Sequence, residues 1–192
     1  MPELRKIAIQ NFRNTELQDV SFSPNVNCIS GGNGEGKTNL LDAIWYLSMT
    51  KSAVSGSDRF NFRYGTSEFS LCGTYSMPGG TVSKFSIQVS DSGEKRVRRD
   101  DKAYTRISAH IGVLPIVMVS PADIAMVSES GEERRKFINS VLSQMDGGYL
   151  ASVQQYNRLL LQRNRLLKAG IVDDDLLNPF DERLAASAVP IF

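Results

Sequence analysis

Apolar and polar positions alternate through the first thirty residues. Ile7 and Ile9, then Val20 and Phe22, then the stretch Val26 to Ser30 are separated by polar Asn11 to Asn14 and Ser23 to Asn25. A period of two marks half-buried strands, so three short strands are predicted before the first helix. The period changes at Lys37. The run KTNLLDAIWYLSM places Leu40, Leu41, Ile44, Trp45, Leu47 and Met49 on more than one side of a helix, the pattern of one buried centrally against a sheet. From Glu68 to Val89 the period of two returns. Phe69, Leu71, Gly73 and Tyr75 lead through Met77-Pro-Gly-Gly80 to Phe85, Ile87 and Val89, which predicts a β-hairpin. Arg96 to Arg99 and Tyr104 to Ile107 predict further strands around a turn at Asp100-Asp101. The continuous apolar run Leu114 to Val119 suits a strand buried on both faces. Antiparallel and parallel pairing are therefore expected together, in an α/β fold with a mixed sheet.

Beyond Pro121 the pattern is helical. Ser130-Gly-Glu-Glu133 fits a capping box, and Phe137, Ile138, Val141, Leu142 and Met145 recur at helical spacing. Gly147-Gly148 predicts a left-handed stop, and a second helix runs from Tyr149 to about Lys168 before Gly170. The two helices read as a helical hairpin. Asp173 and Asp174 read as a solvated loop, and the apolar ending Ala-Val-Pro-Ile-Phe reads as the interior of a longer chain.

Composition narrows the class. With 192 residues, 41% hydrophobic and 22% charged, the chain is an ordinary folded protein, not a disordered, collagen-like or coiled-coil one. A net charge of +1 steers no polyanion, so any basic surface must be local. Cys28 and Cys72 have no ligand-spaced partners, which excludes a zinc site or disulfide framework and leaves two small buried hydrophobes. The polar start with Glu3, Arg5 and Lys6, and the lack of any eighteen-residue apolar run, predict a cytoplasmic protein without membrane contact. The single His110 has no titratable neighbour in sequence and no G-x-S-x-G elbow exists, so covalent catalysis is not indicated.

The strongest chemical signal is Gly31-Gly32-Asn33-Gly34-Glu35-Gly36-Lys37-Thr38, a complete G-x-x-x-x-G-K-[ST] loop between an apolar stretch and an apolar helix. Its glycines let backbone N–H groups close around phosphate oxygens, which a loop carrying Cβ atoms would do only under strain. Lys37 brings charge to the β and γ phosphates, Thr38 offers a hydroxyl to magnesium, and the helix N-terminus favours the same anion. The implied ligands are a nucleoside triphosphate and Mg. Hydrolysis also needs an acid at the end of a second apolar strand. Leu114 to Val119 ends in Ser120-Pro121 without one, and no Asn-Lys-x-Asp supports guanine recognition.

Cations cluster locally. Arg96, Arg98 and Arg99 lie close together, Arg134 and Arg135 open the first helix after Pro121, and Arg158, Arg165 and Lys168 share one side of the next. A row of this kind suits a nucleic-acid backbone, with steep salt dependence and little base preference. Arg134 and Arg135 also oppose the helix dipole, which suggests a partner.

The combination of Asn11-Phe-Arg-Asn14, Gly31 through Ile44, Leu114-Pro115 through Ser120-Pro-Ala-Asp123, Glu133-Arg-Arg-Lys-Phe137 and Tyr156-Asn-Arg158 through Gln162-Arg-Asn-Arg-Leu-Leu-Lys168 resembles the RecF family of bacterial DNA replication and repair proteins. The resemblance covers nearly the whole chain. It implies an ABC-type ATPase head related to chromosome-maintenance and break-repair ATPases, dimerising around ATP and working with RecO and RecR mediators at single-stranded gaps in DNA. Gly31 to Thr38 match the family's Walker A segment, and Arg13 with Asn14 match a loop that approaches the nucleotide. The family's Walker B strand and signature motif are not found. Residues 1–125 are thus expected to form the N-terminal part of the head, lobe I, and residues 126–192 the beginning of a helical lobe II, with the C-terminal half of the family absent. Hydrolysis is not expected from this chain alone. Two alternatives stay open: a small P-loop kinase of a metabolite, disfavoured by the strands before the loop, and an inactive module that only packs against a partner.

Overall fold

The computed structural model describes residues 1–124, 131–170 and 173–192, and the chain divides into two compact units, Met1–Ser120 and Pro121–Phe192. In the first unit, strands β1 (Glu3–Phe12), β2 (Thr15–Ser21), β3 (Glu68–Ser76), β4 (Val82–Ser90), β5 (Lys95–Arg99) and β6 (Lys102–Ala103) form one sheet in the order β2-β1-β3-β4-β5-β6. Every neighbouring pair is antiparallel. Alternation decides the inner face. Ile7, Ile9, Phe69, Leu71, Ile87, Val89 and Val97 all point to the side that carries the one helix of this unit, α1 (Lys37–Met49). Leu40, Ala43, Tyr46 and Leu47 of α1 complete that core, and Phe12, Tyr46 and Phe69 meet edge to face at centroid separations of 5.2–6.0 Å.

The predicted β3–β4 hairpin forms as expected, closed by Met77 N–H donating to the Thr81 carbonyl. The turn at Asp100-Asp101 also forms. Both residues have positive φ, 49° and 63°, as a two-residue hairpin turn requires, and Arg99 pairs with Lys102. Tyr104 to Ile107 is not a strand; the ladder ends at Ala103 and Ile107–His110 forms a short 3-10 turn.

Three further expectations are corrected. Val26 to Ser30 and Leu114 to Val119 form no strand and pair with none among the described residues. Ile29 packs against the core and Leu114 is buried, whereas Val26, Val117 and Val119 are exposed. Apolar content alone does not make a strand; it needs a ladder partner for its N–H and C=O groups. The parallel part of the mixed sheet is correspondingly absent from the described residues. Helix α1 is buried on more than one side, as expected, through Leu40, Ala43, Tyr46, Leu47 and Met49, and only Leu41 among its apolar residues is exposed.

The second unit contains α2 (Gly131–Met145), α3 (Gly147–Lys168) and α4 (Asp174–Ala188). Ser130 of the expected capping box lies outside the described residues. Gly147-Gly148 does not stop α2. Asp146 instead caps α3, its carboxylate accepting from the N–H groups of Gly148 (2.7 Å) and Tyr149 (3.3 Å), so the glycines are the first turn of the next helix. Helix α3 ends before Gly170, whose φ is 76°. The expected loop after it is helix α4, capped by Asp173 accepting from Asp175 N–H at 3.0 Å and tied to α3 by Arg163 and Asp181 at 2.5 Å. Of the predicted apolar positions on α2, Phe137, Ile138, Leu142 and Met145 are exposed.

Candidate phosphate-binding site

The loop Gly31 to Gly36 leads from the stretch Val26 to Ser30 into α1, with Gly36 as the N-cap at φ 92°. Gly34 also has positive φ, 83°, so side chains are disfavoured at both places. Lys37 and Thr38 open the helix, Lys37 half-buried and Thr38 exposed. Lys37 Nζ is folded back onto the loop, donating to the carbonyls of Gly31 (2.8 Å) and Gly32 (2.6 Å). Glu35 folds the same way, its carboxylate accepting from the Gly32 N–H at 2.7 Å.

A second layer supports the loop. The β1–β2 turn places Asn14 beside it, with the side-chain amide donating to the Gly34 carbonyl at 3.3 Å and Asn14 Oδ1 accepting from Asn39 of α1. Arg13, at φ 55°, turns the other way. Its guanidinium meets Asp42 at 2.8 Å and Ser52 Oγ at 3.0 Å, and Asn39 at 3.5 Å. Asp42 is fully buried on α1, and its carboxylate also accepts from Ser52 Oγ (2.8 Å) and the Ala53 N–H (2.7 Å). Asn14 thus reaches the loop directly, whereas Arg13 holds the turn to the helix behind it.

Several of these residues are not singled out by the sequence. Asp42, Ser52 and Asn39 come together only through the turn; the readable signal is a carboxylate, Asp42, inside the otherwise apolar run Leu40 to Leu47. Below them Lys95 of β5 bridges Asp58 (2.7 Å) and the Thr50 carbonyl (2.8 Å), and Asp58 accepts from Tyr46 Oη at 2.7 Å. Burial and the Asp58 carboxylate push the Tyr46 phenol well above its ordinary range.

The predicted basic cluster divides. Register places Arg96 and Arg98 opposite Gln88 and Ser86, on the sheet face away from α1. Arg99 falls on the inner face, its guanidinium 5.5 Å from the Phe85 ring centroid. Arg96 pairs with Glu94 at 2.8 Å. On the second unit, Arg134 and Arg135 are exposed on α2, and Arg158, Arg165 and Lys168 are exposed along α3. His110 is buried, its Nε2–H donating to the Leu47 carbonyl at 2.6 Å. Among the described residues no group of His, Cys, Asp and Glu is arranged to hold a metal, and no helix is long and apolar enough to cross a membrane.

An α/β unit with a complete phosphate loop seated on its helix defines a P-loop nucleotide-binding head. The AAA domain family matches residues 6–169, and the chain belongs to that family. The DNA replication and repair protein RecF of Bacteroides thetaiotaomicron is 40% identical over 98% of this chain, and that of Porphyromonas gingivalis 38% over 98%; the matches take in 52% of each relative. The chain therefore spans about half the length of the curated relatives it matches. A recombination mediator protein RecF solved with ATPrS superposes with a TM-score of 0.91 at 31% identity over 99% of this chain and 52% of that one. RecF with ATP gives 0.84 at 32%, over the same shares. An SMC ATPase, at 17% identity and a TM-score of 0.60 over 72% of this chain and 98% of its own, shares the fold. None of these relatives is a metabolite kinase.

Proposed function

We propose that this chain binds ATP with Mg at Gly31 to Thr38 and serves as an ATPase head of a DNA-repair mediator. The observation that carries the reading is the intact loop. Positive φ at Gly34 and Gly36, and Lys37 lying against the loop at the start of α1, support it. Similarity to RecF proteins solved with ATP and ATPrS supports the same ligand. Gly31, Gly32, Asn33, Gly34, Glu35 and Gly36 would surround the phosphates, and exposed Thr38 would offer its hydroxyl to magnesium. The bond from Asn14 to the Gly34 carbonyl supports a role for Asn14 beside the nucleotide, with Arg13 acting behind it through Asp42.

The macromolecular partner in this reading is single-stranded or gapped duplex DNA, engaged in the cytoplasm by two heads paired around ATP and assisted by RecO and RecR mediators. Arg96 and Arg98 on the open sheet face, and Arg158, Arg165 and Lys168 on α3, are the cations best displayed for phosphate contacts. Arg134 and Arg135 remain candidates on α2. Arg99 is the weakest, because it faces Phe85. We assign binding, not hydrolysis, to these residues.

The test is calorimetric titration of ATP with magnesium into the chain and into Lys37→Met. The native chain is expected to bind, and the variant to lose at least tenfold in affinity, because a charge-assisted phosphate contact is removed. Equal binding by both chains would remove the loop from consideration.

A further inference from the structure

We infer that Asn39 is a positioning residue for the phosphate loop: it turns the Asn14 amide so that Asn14 holds the Gly34–Glu35 peptide in one direction. The role rests on the nucleotide reading of the loop and adds what fixes its central peptide. Asn39 follows Lys37-Thr38 and is half-buried on α1. Its Nδ2 donates to Asn14 Oδ1, and its Oδ1 accepts from the Arg13 guanidinium at 3.5 Å. Asn14 in turn donates from Nδ2 to the Gly34 carbonyl at 3.3 Å. The same amide lies over Gly36, where a Cβ would stand 3.6 Å from Asn14 Oδ1.

A side-chain amide can face either way, and here the two ends of the series decide. A carbonyl only accepts, so Asn14 must present its NH2 to Gly34 and its oxygen to Asn39. A guanidinium only donates, so Asn39 must present its oxygen to Arg13 and its NH2 to Asn14. The two demands agree. Reversing either amide would set oxygen against oxygen at one contact and donor against donor at the other. Arg13 is itself anchored by the buried Asp42 at 2.8 Å, so the direction starts behind the helix and ends on the loop. A trans peptide is planar, with its C=O and N–H on opposite sides. Holding the Gly34 carbonyl toward Asn14 therefore directs the Glu35 N–H away from it. Gly34, at φ 83°, has no side chain to fix that peptide, so an outside contact does.

The experiment titrates ATP with magnesium into the native chain, Asn39→Ala, Asn39→Asp, Asn14→Ala and the double variant Asn14→Ala with Asn39→Asp. The Gly34 carbonyl 13C resonance is recorded in each before nucleotide is added. Asn39→Asp keeps the size of the side chain but offers only acceptors, so it draws the Asn14 NH2 to itself and turns it away from Gly34. It is expected to weaken ATP binding roughly tenfold, against roughly threefold for Asn39→Ala. A space-filling role predicts the reverse order. The new carboxylate also repels phosphate directly, and the double variant separates that effect. With Asn14 truncated, Asn39→Asp is expected to cost only about twofold more. The Gly34 carbonyl resonance is expected to move upfield equally in Asn14→Ala and Asn39→Asp, because both lose the same hydrogen bond. An equal cost of Asn39→Asp in the two backgrounds, or a larger loss in Asn39→Ala, overturns the positioning role and leaves the nucleotide site standing. If none of the chains binds ATP the nucleotide reading falls, and the resonance still decides the role of Asn39. A carbonyl that moves in Asn14→Ala but not in Asn39→Asp overturns it.

Discussion

Asp42 shows how one side chain organises the ground behind the loop. A fully buried carboxylate is tolerated because Arg13, Ser52 and the Ala53 N–H surround it. Arg13→Ala leaves that charge buried with two neutral donors, which is expected to destabilise the chain by about 3 kcal/mol. Removing both charges should cost less than the sum of Arg13→Ala and Asp42→Ala, because no unpaired ion is left inside. Urea denaturation of the two single variants and the double one measures this directly; strict additivity would show that the pair is not coupled. The place of Arg13 in a turn beside the phosphate loop was legible, but its direction was not. Asp42 lies 29 positions away in sequence, and only the fold reveals that a buried acid claims the guanidinium.

Elements were legible where local pattern and available partners agree. The β3–β4 hairpin, helix α1 and helix α3 each carry their own period, and each finds a surface to bury it on. The failures have physical causes. Val26 to Ser30 and Leu114 to Val119 have strand-like residues without a strand beside them among the described residues, so Val117 and Val119 remain exposed. Gly147-Gly148 looked like an ending because glycine favours left-handed caps, yet Asp146 offers a stronger local arrangement by accepting from two N–H groups of the next turn. Similarly, Asp173 with its acidic neighbours has the composition of a solvated loop, although its carboxylate caps α4. The period of two, applied strictly to β5, would have separated Arg99 from Arg96 and Arg98 in advance. The cap makes a clear prediction. Asp146→Ala should lower the stability of the helical unit by about 1 kcal/mol, whereas Asp146→Asn should keep most of it, read from the urea midpoint of the helical circular-dichroism signal. Equal loss in both variants would mean that charge, not capping geometry, is what α3 needs there.

At the scale of the whole molecule, acid should loosen the first unit through His110. This imidazole is buried between the rings of Phe85 and Tyr104, at centroid distances of 5.7 and 5.2 Å, and joins the Ile107–His110 turn to α1 through the Leu47 carbonyl. With Nε2–H donating, Nδ1 holds the lone pair, and it has no partner among the described residues. A second proton would have to sit there, in an aromatic pocket with no acceptor to receive it. Burial accordingly pulls the folded-state pKa below the ordinary 6.5, the Leu47 bond offsetting only part of the shift. The folded form thus stays neutral while the unfolded chain takes up a proton. Below about pH 6.5 the unfolded state binds more protons, so stability falls as pH falls, at up to about 1.4 kcal/mol per pH unit, until the folded-state pKa is reached. Above pH 6.5 this group contributes no pH dependence. Asp100, whose pKa is lowered chiefly by the Lys84 N–H, acts in the same direction, but only below the carboxylate value of 3.8. The two effects therefore separate on the pH axis. Urea midpoints measured from pH 8 to pH 5 should fall in the native chain below pH 6.5 and lose this component in His110→Gln, which keeps a donor for Leu47 but cannot titrate. A native midpoint that is flat across that range would show that His110 accepts its second proton inside the fold without cost.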